Sequence, residues 1–223
     1  MTAVAALPTV SIVIPAFNEE AAIRACVTAA LTQTVPAHEI IVVDNRSTDR
    51  TAEIVTELQG ANPDAPLFLV RQFDEQGLVP TRNLGLDTAT GEVIGRIDAD
   101  SVLEPTWVAE VQKAFVDPGV AAATGPVLYY DMPLRRFGLR ADDTLRRAML
   151  RLAREYSFVF GSNMALRATA WRAIRHEVCR DEADLFHEDI DISVHLYDAG
   201  LRAVYVPTMV TGMSARRIDD SPR

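Results

Sequence analysis

Residues 91–107 read GEVIGRIDADSVLEPTW. Val93, Ile94, Gly95, Arg96 and Ile97 make a mostly apolar run that stops abruptly at Asp98-Ala99-Asp100. A polar turn follows. Pro105 then stands where a first helical position is expected, because a missing N–H is harmless there. The helix it opens carries its apolar stripe on Trp107, Val108, Val111 and Phe115. The stretch reads as strand, turn, helix. Its oddity is two carboxylates one residue apart at the strand end, which repel each other unless something positive is near.

The same unit recurs upstream. TVSIVIPAF is an apolar strand followed by a helix with Ile23, Val27, Ala30 and Leu31 on one face. HEIIVVDN is a second strand, followed by a helix that turns Ile54, Val55 and Leu58 inward. PLFLVRQ and VPTRNLGLDTA form a third pair. Strands alternating with helices, the strands apolar almost throughout, predict an α/β fold with a mostly parallel central sheet flanked by helices. Ligands of such sheets bind at the carboxyl ends of the strands. Three of those ends are polar: Asn18-Glu19-Glu20, Asp44-Asn45 and Asp98-Ala99-Asp100. Each by itself reads equally well as a cap or a turn. Together on one sheet edge they make a negative cleft suited to a divalent cation carrying an anionic ligand. The chain has neither G-x-G-x-x-G nor G-x-x-x-x-G-K-[ST], so the phosphate loops of dinucleotide-binding and P-loop proteins are missing.

The 223 residues are 48% hydrophobic and 24% charged, with a net charge of −9 that argues against general nucleic-acid binding. Cys26 and Cys179 lie far apart without metal-ligand spacing and read as buried thiols in a reducing compartment. No apolar run approaches the roughly 18 residues of a transmembrane helix, and no signal-peptide pattern opens the chain. A cytoplasmic protein is expected, with a peripheral position at the inner face of a membrane as the variant reading.

Beyond residue 115 the pattern loosens. VAAATGPVLYY reads as one strand. Residues 135–154 hold seven arginines, and the segment from Asp142 to Tyr156 reads as a helix with Leu145, Ala148, Met149, Leu152 and Tyr156 inward and Arg147, Arg151 and Arg154 outward. A solvated face is the plainer reading of those arginines; a surface for a phosphorylated acceptor or an anionic membrane is the sharper one. FVFGSNMALRATAW, FHEDIDISVHLYDAG and LRAVYVP close the pattern. Acids at the start of the second suit a helix dipole whatever else they do. No internal repeat or low-complexity segment is visible.

The motifs VSIVIPAFNEE, EIIVVDNRSTDRTAEI, TRNLGLDTATGEVIGRIDADS, GSNMALR and HEDIDIS stand in an order and spacing that resembles the family 2 glycosyltransferases of GT-A fold, from about Val10 to Pro207. The resemblance implies one domain over residues 1–223, with a Rossmann-like nucleotide-sugar half over about 8–100 and a smaller acceptor half over about 101–215. It implies an inverting hexosyltransferase-type enzyme that moves a sugar from a UDP- or GDP-linked donor, with Mg²⁺ or Mn²⁺, to a hydroxyl of a saccharide, lipid or small molecule, as in bacterial cell-envelope polysaccharide or glycolipid synthesis. By the same resemblance Pro15, Ala16 and Phe17 line the base pocket, Glu19 and Asp98 face the ribose, and Asp44 accepts a hydrogen bond from the base. Arg82 stands near base or phosphates, Asp100 binds the metal, Gly161 and Asn163 surround the donor sugar, and Asp189 is the general base. Glu188 is its rival within the motif.

Two departures are visible. The residues after RAVYVP are PTMVTGMSARR, without the histidine with which many relatives complete a metal site, so Arg216 and Arg217 become candidates for phosphate contact. Asn45 replaces a second acid, a change expected to matter little. Two other readings remain: a sugar nucleotidyltransferase, disfavoured because PAFNEEAA has no glycine, and a non-catalytic sugar-nucleotide binder, disfavoured by the presence of both Asp100 and Asp189.

Overall fold

The strand of the opening stretch is β4 (Val93–Arg96), and it lies inside the main sheet. The computed structural model describes residues 6–130, 139, 142–148, 158–178 and 188–213. Around β4 are β1 (Val10–Ala16), β2 (Glu39–Asp44) and β3 (Leu67–Arg71), each followed by a helix: α1 (Ile23–Leu31), α2 (Thr51–Ala61) and α3 (Leu78–Thr88). Next come β5 (Val102–Leu103), α4 (Trp107–Ala114), β6 (Val120–Thr124), β7 (Val127–Tyr129), helical residues 142–148 (α5), β8 (Met164–Arg167), α6 (Ala168–Ile174), α7 (Glu188–Asp198), β9 (Arg202–Tyr205) and β10 (Thr211–Met213).

The seven-stranded sheet runs β3-β2-β1-β4-β8-β6-β9. Pairs β3–β2, β2–β1, β1–β4 and β6–β9 are parallel; β8 is antiparallel to both β4 and β6. Every residue of β1, β2 and β4 is buried, which is why these strands read as continuous apolar runs rather than alternating ones. The expected helix faces are the packed ones: Ile23, Val27 and Ala30 in α1, Ile54, Val55 and Leu58 in α2, Trp107, Val108 and Val111 in α4. Successive strands run outward from β1 to β3, and the chain then returns to place β4 on the other side of β1. That reversal opens a crevice above β1 and β4, the place where open α/β sheets hold ligands.

Three expectations are corrected in detail. Pro105 lies in a turn, and α4 begins at Trp107 with Thr106 at its N-cap. VAAATGPVLYY is two strands, because Gly125-Pro126 breaks it. β6 stays in the main sheet, and β7 joins a second sheet of order β5-β10-β7. In α5 the inward residue is Arg146, while Leu145 is 61% exposed and Ala148 is also exposed. An apolar-face count missed this because Arg146 is neutralised where it is buried: its Nε donates to Asp142 at 2.7 Å, and its guanidinium lies 4.2 Å over the Phe160 ring. Met149, Arg151, Leu152, Arg154 and Tyr156 lie outside the described residues, as do Arg135, Arg136 and Arg140. Among the described residues no helix is long and apolar enough to cross a membrane.

Candidate active site

Above the β1–β4 switch point lies a cavity of about 320 Å³. Pro15, Ala16, Phe17 and Glu19 from the end of β1 form one side, and Asp98 and Ala99 from the end of β4 form another. Asn45, Gln76, Gly77, Leu78 and Thr81 close it from the β2 end and the start of α3. Phe17 is 47% exposed, an aromatic ring offered to the solvent side of the cavity. Pro15, Ala16, Phe17, Glu19 and Asp98 are thus brought together as expected.

The loops carrying these residues are pinned by local polar contacts. Asn18 and Arg46 take left-handed backbone (φ 53° and 60°) where β1 and β2 end. Asn18 Oδ1 accepts the Thr48 N–H at 2.8 Å, and the Asn18 N–H donates to Ser47 Oγ at 3.0 Å. Glu20 points away from the cavity and accepts the Arg50 N–H at 3.0 Å. Asn45 does more than expected. Its Nδ2 donates to the Glu75 carbonyl at 2.9 Å, and its Oδ1 accepts the Gly77 N–H at 2.9 Å. A carboxylate accepts but cannot donate, so an acid at position 45 would lose the bond to Glu75.

Asp44 sits below this loop, its side chain 1% exposed, with Oδ2 3.3 Å from Arg71 Nη1. Its Oδ1 is buried and has no hydrogen-bond partner among the described residues.

The turn at Asp98-Ala99-Asp100 is held through its main chain. The Ser101 N–H donates to the Asp98 carbonyl at 3.0 Å, and Tyr130 Oη donates to the Asp100 carbonyl at 3.3 Å. The Cys26 thiol lies 3.6 Å from the Asp98 carbonyl. Burial pushes that thiol far up, and the charges of Asp100, Asp98 and Glu19 push it the same way. Cys26 is an inert S–H there; Cys179 lies outside the described residues. No group of three or more His, Cys, Asp or Glu side chains among the described residues makes a closed metal cage. The donor set fits a hard cation held by one or two carboxylates plus ligand phosphates.

The positive group that the two aspartates demand is supplied in part by their own strand. Arg96, 2% exposed, places Nη2 3.0 Å from Asp98 Oδ1 and 2.9 Å from Glu188 Oε1. Arg82, fully buried on α3, has Nη1 4.0 Å from the same Glu188 oxygen, and its Nε and Nη2 donate to Asn83 Oδ1. Burial pushes Arg82 down to about 10, the neighbouring Arg96 works in the same direction, and Glu188 opposes. It therefore stays a cation at neutral pH. Arg96 went unremarked in the sequence because it stands inside an apolar run. A single charge in a strand buried on both faces is itself the signal, since it must find a partner.

Asp189 follows Glu188 as the second residue of α7. Its Oδ2 accepts the Gly161 N–H at 3.2 Å and its Oδ1 the Ile190 N–H at 2.9 Å. Ser193 Oγ donates to the Asp189 carbonyl at 2.6 Å and accepts the Val159 N–H at 3.0 Å, tying α7 to the segment before β8. Asn163 is elsewhere occupied. It is fully buried, accepts from Trp107 Nε1 at 2.8 Å, and donates to the carbonyls of Pro126 (3.0 Å) and Met209 (2.6 Å). Its amide joins three elements and is not among the cavity residues, so a donor-sugar contact by this side chain is not what the geometry offers. Arg216 and Arg217 lie outside the described residues.

A mostly parallel α/β sheet with an acidic cavity at its switch point defines a GT-A type architecture. Residues 11–181 match the family described as Glycosyl transferase family 2, and the chain belongs to that family. Chondroitin synthase of Pasteurella multocida is 36% identical over 110 residues, 49% of this chain and 11% of that protein. Glycosyltransferase AglE of Haloferax volcanii is 31% identical over 123 residues, 54% of this chain and 40% of that protein. This chain therefore spans less than half the length of either relative. Among solved structures, mannosyltransferase PcManGT of Pyrobaculum calidifontis, in complex with GDP-Man and Mn²⁺, superposes with a TM-score of 0.69 at 23% identity, covering 94% of this chain and 58% of that one. S. aureus TarS 1–349 in complex with UDP-GlcNAc gives 0.71 at 16% identity, covering 96% and 62%. These likenesses establish the fold.

Proposed function

We propose that this chain is an inverting glycosyltransferase that takes a sugar from a UDP- or GDP-linked donor and passes it to a hydroxyl acceptor. The observation that carries the reading is the continuity of cavity and carboxylate. Asp98 bounds the cavity, Arg96 joins Asp98 to Glu188, and Asp189 is the next residue of the same helix turn. The nucleoside lies in the cavity between Phe17 and the Gly77–Leu78 wall, with Pro15 and Ala16 below it, Glu19 and Asp98 at the ribose, and Asp44 Oδ1 as acceptor for a base N–H. Asp100 would hold, together with diphosphate oxygens, a divalent cation that would supply positive charge against the charge developing on the leaving group. Arg82 adds positive charge beneath the site. Arg216 and Arg217 supply forked contacts to the diphosphate from the segment after β10.

Asp189 takes the proton from the acceptor hydroxyl, a poor nucleophile until it is deprotonated. One base and one in-line displacement invert the anomeric carbon without a covalent enzyme intermediate. Asp189 is suited to this because, among the described residues, its oxygens receive main-chain N–H bonds alone, one each, leaving lone pairs for the acceptor. The chain acts as one domain whose first hundred residues hold the donor and whose remainder meets the acceptor. Its setting is cytoplasmic, in cell-envelope saccharide or glycolipid synthesis, with the arginine-rich 135–154 segment as a peripheral contact to an anionic membrane. The test is release of UDP from UDP-GlcNAc and of GDP from GDP-mannose, with and without EDTA. Release from one donor, lost with EDTA, is expected. No release from either, and no binding of UDP or GDP, would refute the proposal.

A further inference from the structure

Arg96 occupies an improbable place. It sits in β4, between β1 and β8, with only 2% of its surface exposed. A lone charge there is expensive unless it is paired. It is paired twice through one nitrogen: Nη2 meets Asp98 Oδ1 at 3.0 Å and Glu188 Oε1 at 2.9 Å. Asp98 is two residues further along the chain, just past the end of β4, whereas Glu188 is 92 residues away at the first position of α7. Gly161 packs against the same guanidinium. A Cβ at position 161 would lie 2.1 Å from Arg96 Nη1 and 3.6 Å from Asp189 Cβ, and the Gly161 N–H already donates to Asp189 Oδ2. One side chain thus touches the donor-side acid, the segment before β8, and the residue adjoining Asp189.

We propose that Arg96 is a positioning residue and Glu188 its anchor: the pair fixes the start of α7 against the end of β4 and so sets where the Asp189 carboxylate stands over the donor. This rests on the reading of Asp189 as the base. It also divides the two neighbouring acids. Glu188 Oε1 accepts from the Arg96 guanidinium at 2.9 Å and lies 4.0 Å from that of Arg82, while among the described residues Asp189 is engaged by main-chain N–H groups. Stability alone does not call for such a pair, since replacing both partners of a buried ion pair with apolar groups is often neutral.

The test uses the full chain with UDP-GlcNAc and GDP-mannose. It measures kcat and donor KM of nucleotide release, the pH profile and Tm, for Arg96→Lys, Glu188→Gln, the double variant Arg96→Met/Glu188→Met, and Asp189→Asn. Glu188→Gln is expected to lower kcat by up to about a hundredfold, the loss typical of a reacting group displaced by about 1 Å. Donor KM and the acid limb of its pH profile should stay those of the wild type. Arg96→Lys should recover more activity than the double variant, which should turn over slowly. Should the double variant fail to fold, because it leaves Asp98 and Arg82 without these counter-ions, Glu188→Gln still decides, and wild-type kcat there overturns the proposal. Wild-type kcat in the double variant overturns the proposal. So does a Glu188→Gln enzyme that matches Asp189→Asn in loss and also loses the acid limb, for Glu188 would then be the base. An Asp189→Asn enzyme as active as the wild type refutes the base assignment instead; the Arg96 proposal falls with it only if Arg96→Lys is equally active.

Discussion

On the β2 side of the cavity, Asn45 holds the Glu75–Gly77 loop by two neutral hydrogen bonds, and every partner lies within about thirty residues in the chain. On the β4 side, Arg96 holds Asp98 and Glu188 by charge, and the decisive partner is 92 residues away. A wall of neutral bonds can shape a cavity for an uncharged base at little electrostatic cost. A wall of charges can set the distance between two chemical groups, because each ion loses heavily if it moves away from its counter-ion in a dry interior. The difference teaches where to look for binding and where for catalysis: the first side should govern affinity and the second turnover.

The largest expected effect is on the charged side. Asp189→Asn should lower turnover by about 10²–10⁴-fold, the usual contribution of a general base. Nucleotide affinity, measured alongside under saturating donor, should barely change. Loss of donor binding in step with activity would place Asp189 on the binding side and erase the distinction.

Next is base selection. On the proposed reading, Asp44 accepts an N–H that uracil and guanine offer and that adenine and cytosine lack at that edge. UDP or GDP should therefore bind at least about tenfold more tightly than ADP or CDP, since one bond to a buried charge is worth on the order of 1.5–3 kcal/mol. Asp44→Ala should level the four nucleotides. Equal affinities in the wild-type protein would sink this assignment.

Asn45→Asp should act on the same side and more gently. The acid cannot donate to the Glu75 carbonyl and sets a negative charge beside it. UDP or GDP affinity should fall several-fold, on the order of the 1 kcal/mol of one neutral hydrogen bond, with kcat at saturation unchanged. A drop in kcat without a change in affinity would contradict the division of labour.

The smallest effect lies at the opposite, amino-terminal edge of the sheet. Burial works against the Glu39 carboxylate, but hydrogen bonds from Ser11 Oγ (2.6 Å) and from Thr90 N and Oγ1 (2.6 and 2.8 Å) outweigh it and hold Glu39 below the usual glutamate range. A group depressed in the folded state stabilises above its unfolded value, near 4.3, and that stabilisation is lost as pH falls through the folded value. Melting temperatures of Glu39→Gln and wild type should thus differ most near neutral pH and converge in acid. Parallel curves would show that the hydrogen bonds carry no linkage.

The same contrast explains what could be seen in the sequence. The strands were legible because β1, β2 and β4 are buried on both faces and so carry unbroken apolar runs. The acids at the strand ends were legible because Glu19, Asp98 and Asp100 follow those runs closely; Glu19 and Asp98 line the cavity. Asn45 was undervalued, because a loop of neutral bonds leaves no mark in composition. Arg146 and Arg96 were misread or passed over for one physical reason: a buried cation looks out of place until its partner is known. Asp142 and the Phe160 ring supply it for Arg146, Asp98 and Glu188 for Arg96. Asn163 was assigned to the donor sugar on resemblance, whereas its side chain is committed to Trp107, Pro126 and Met209.

On the proposed reading a nucleoside diphosphate and a divalent cation meet at the carboxyl ends of β1 and β4. Titration calorimetry of UDP and GDP into wild type and Asp100→Ala, each with Mn²⁺ and with EDTA, tests it most directly. Wild type should bind one of the two nucleotides far more tightly with Mn²⁺, and Asp100→Ala, folded by its melting curve, should lose that gain. Binding by the variant that matches wild type in both conditions would contradict the claim.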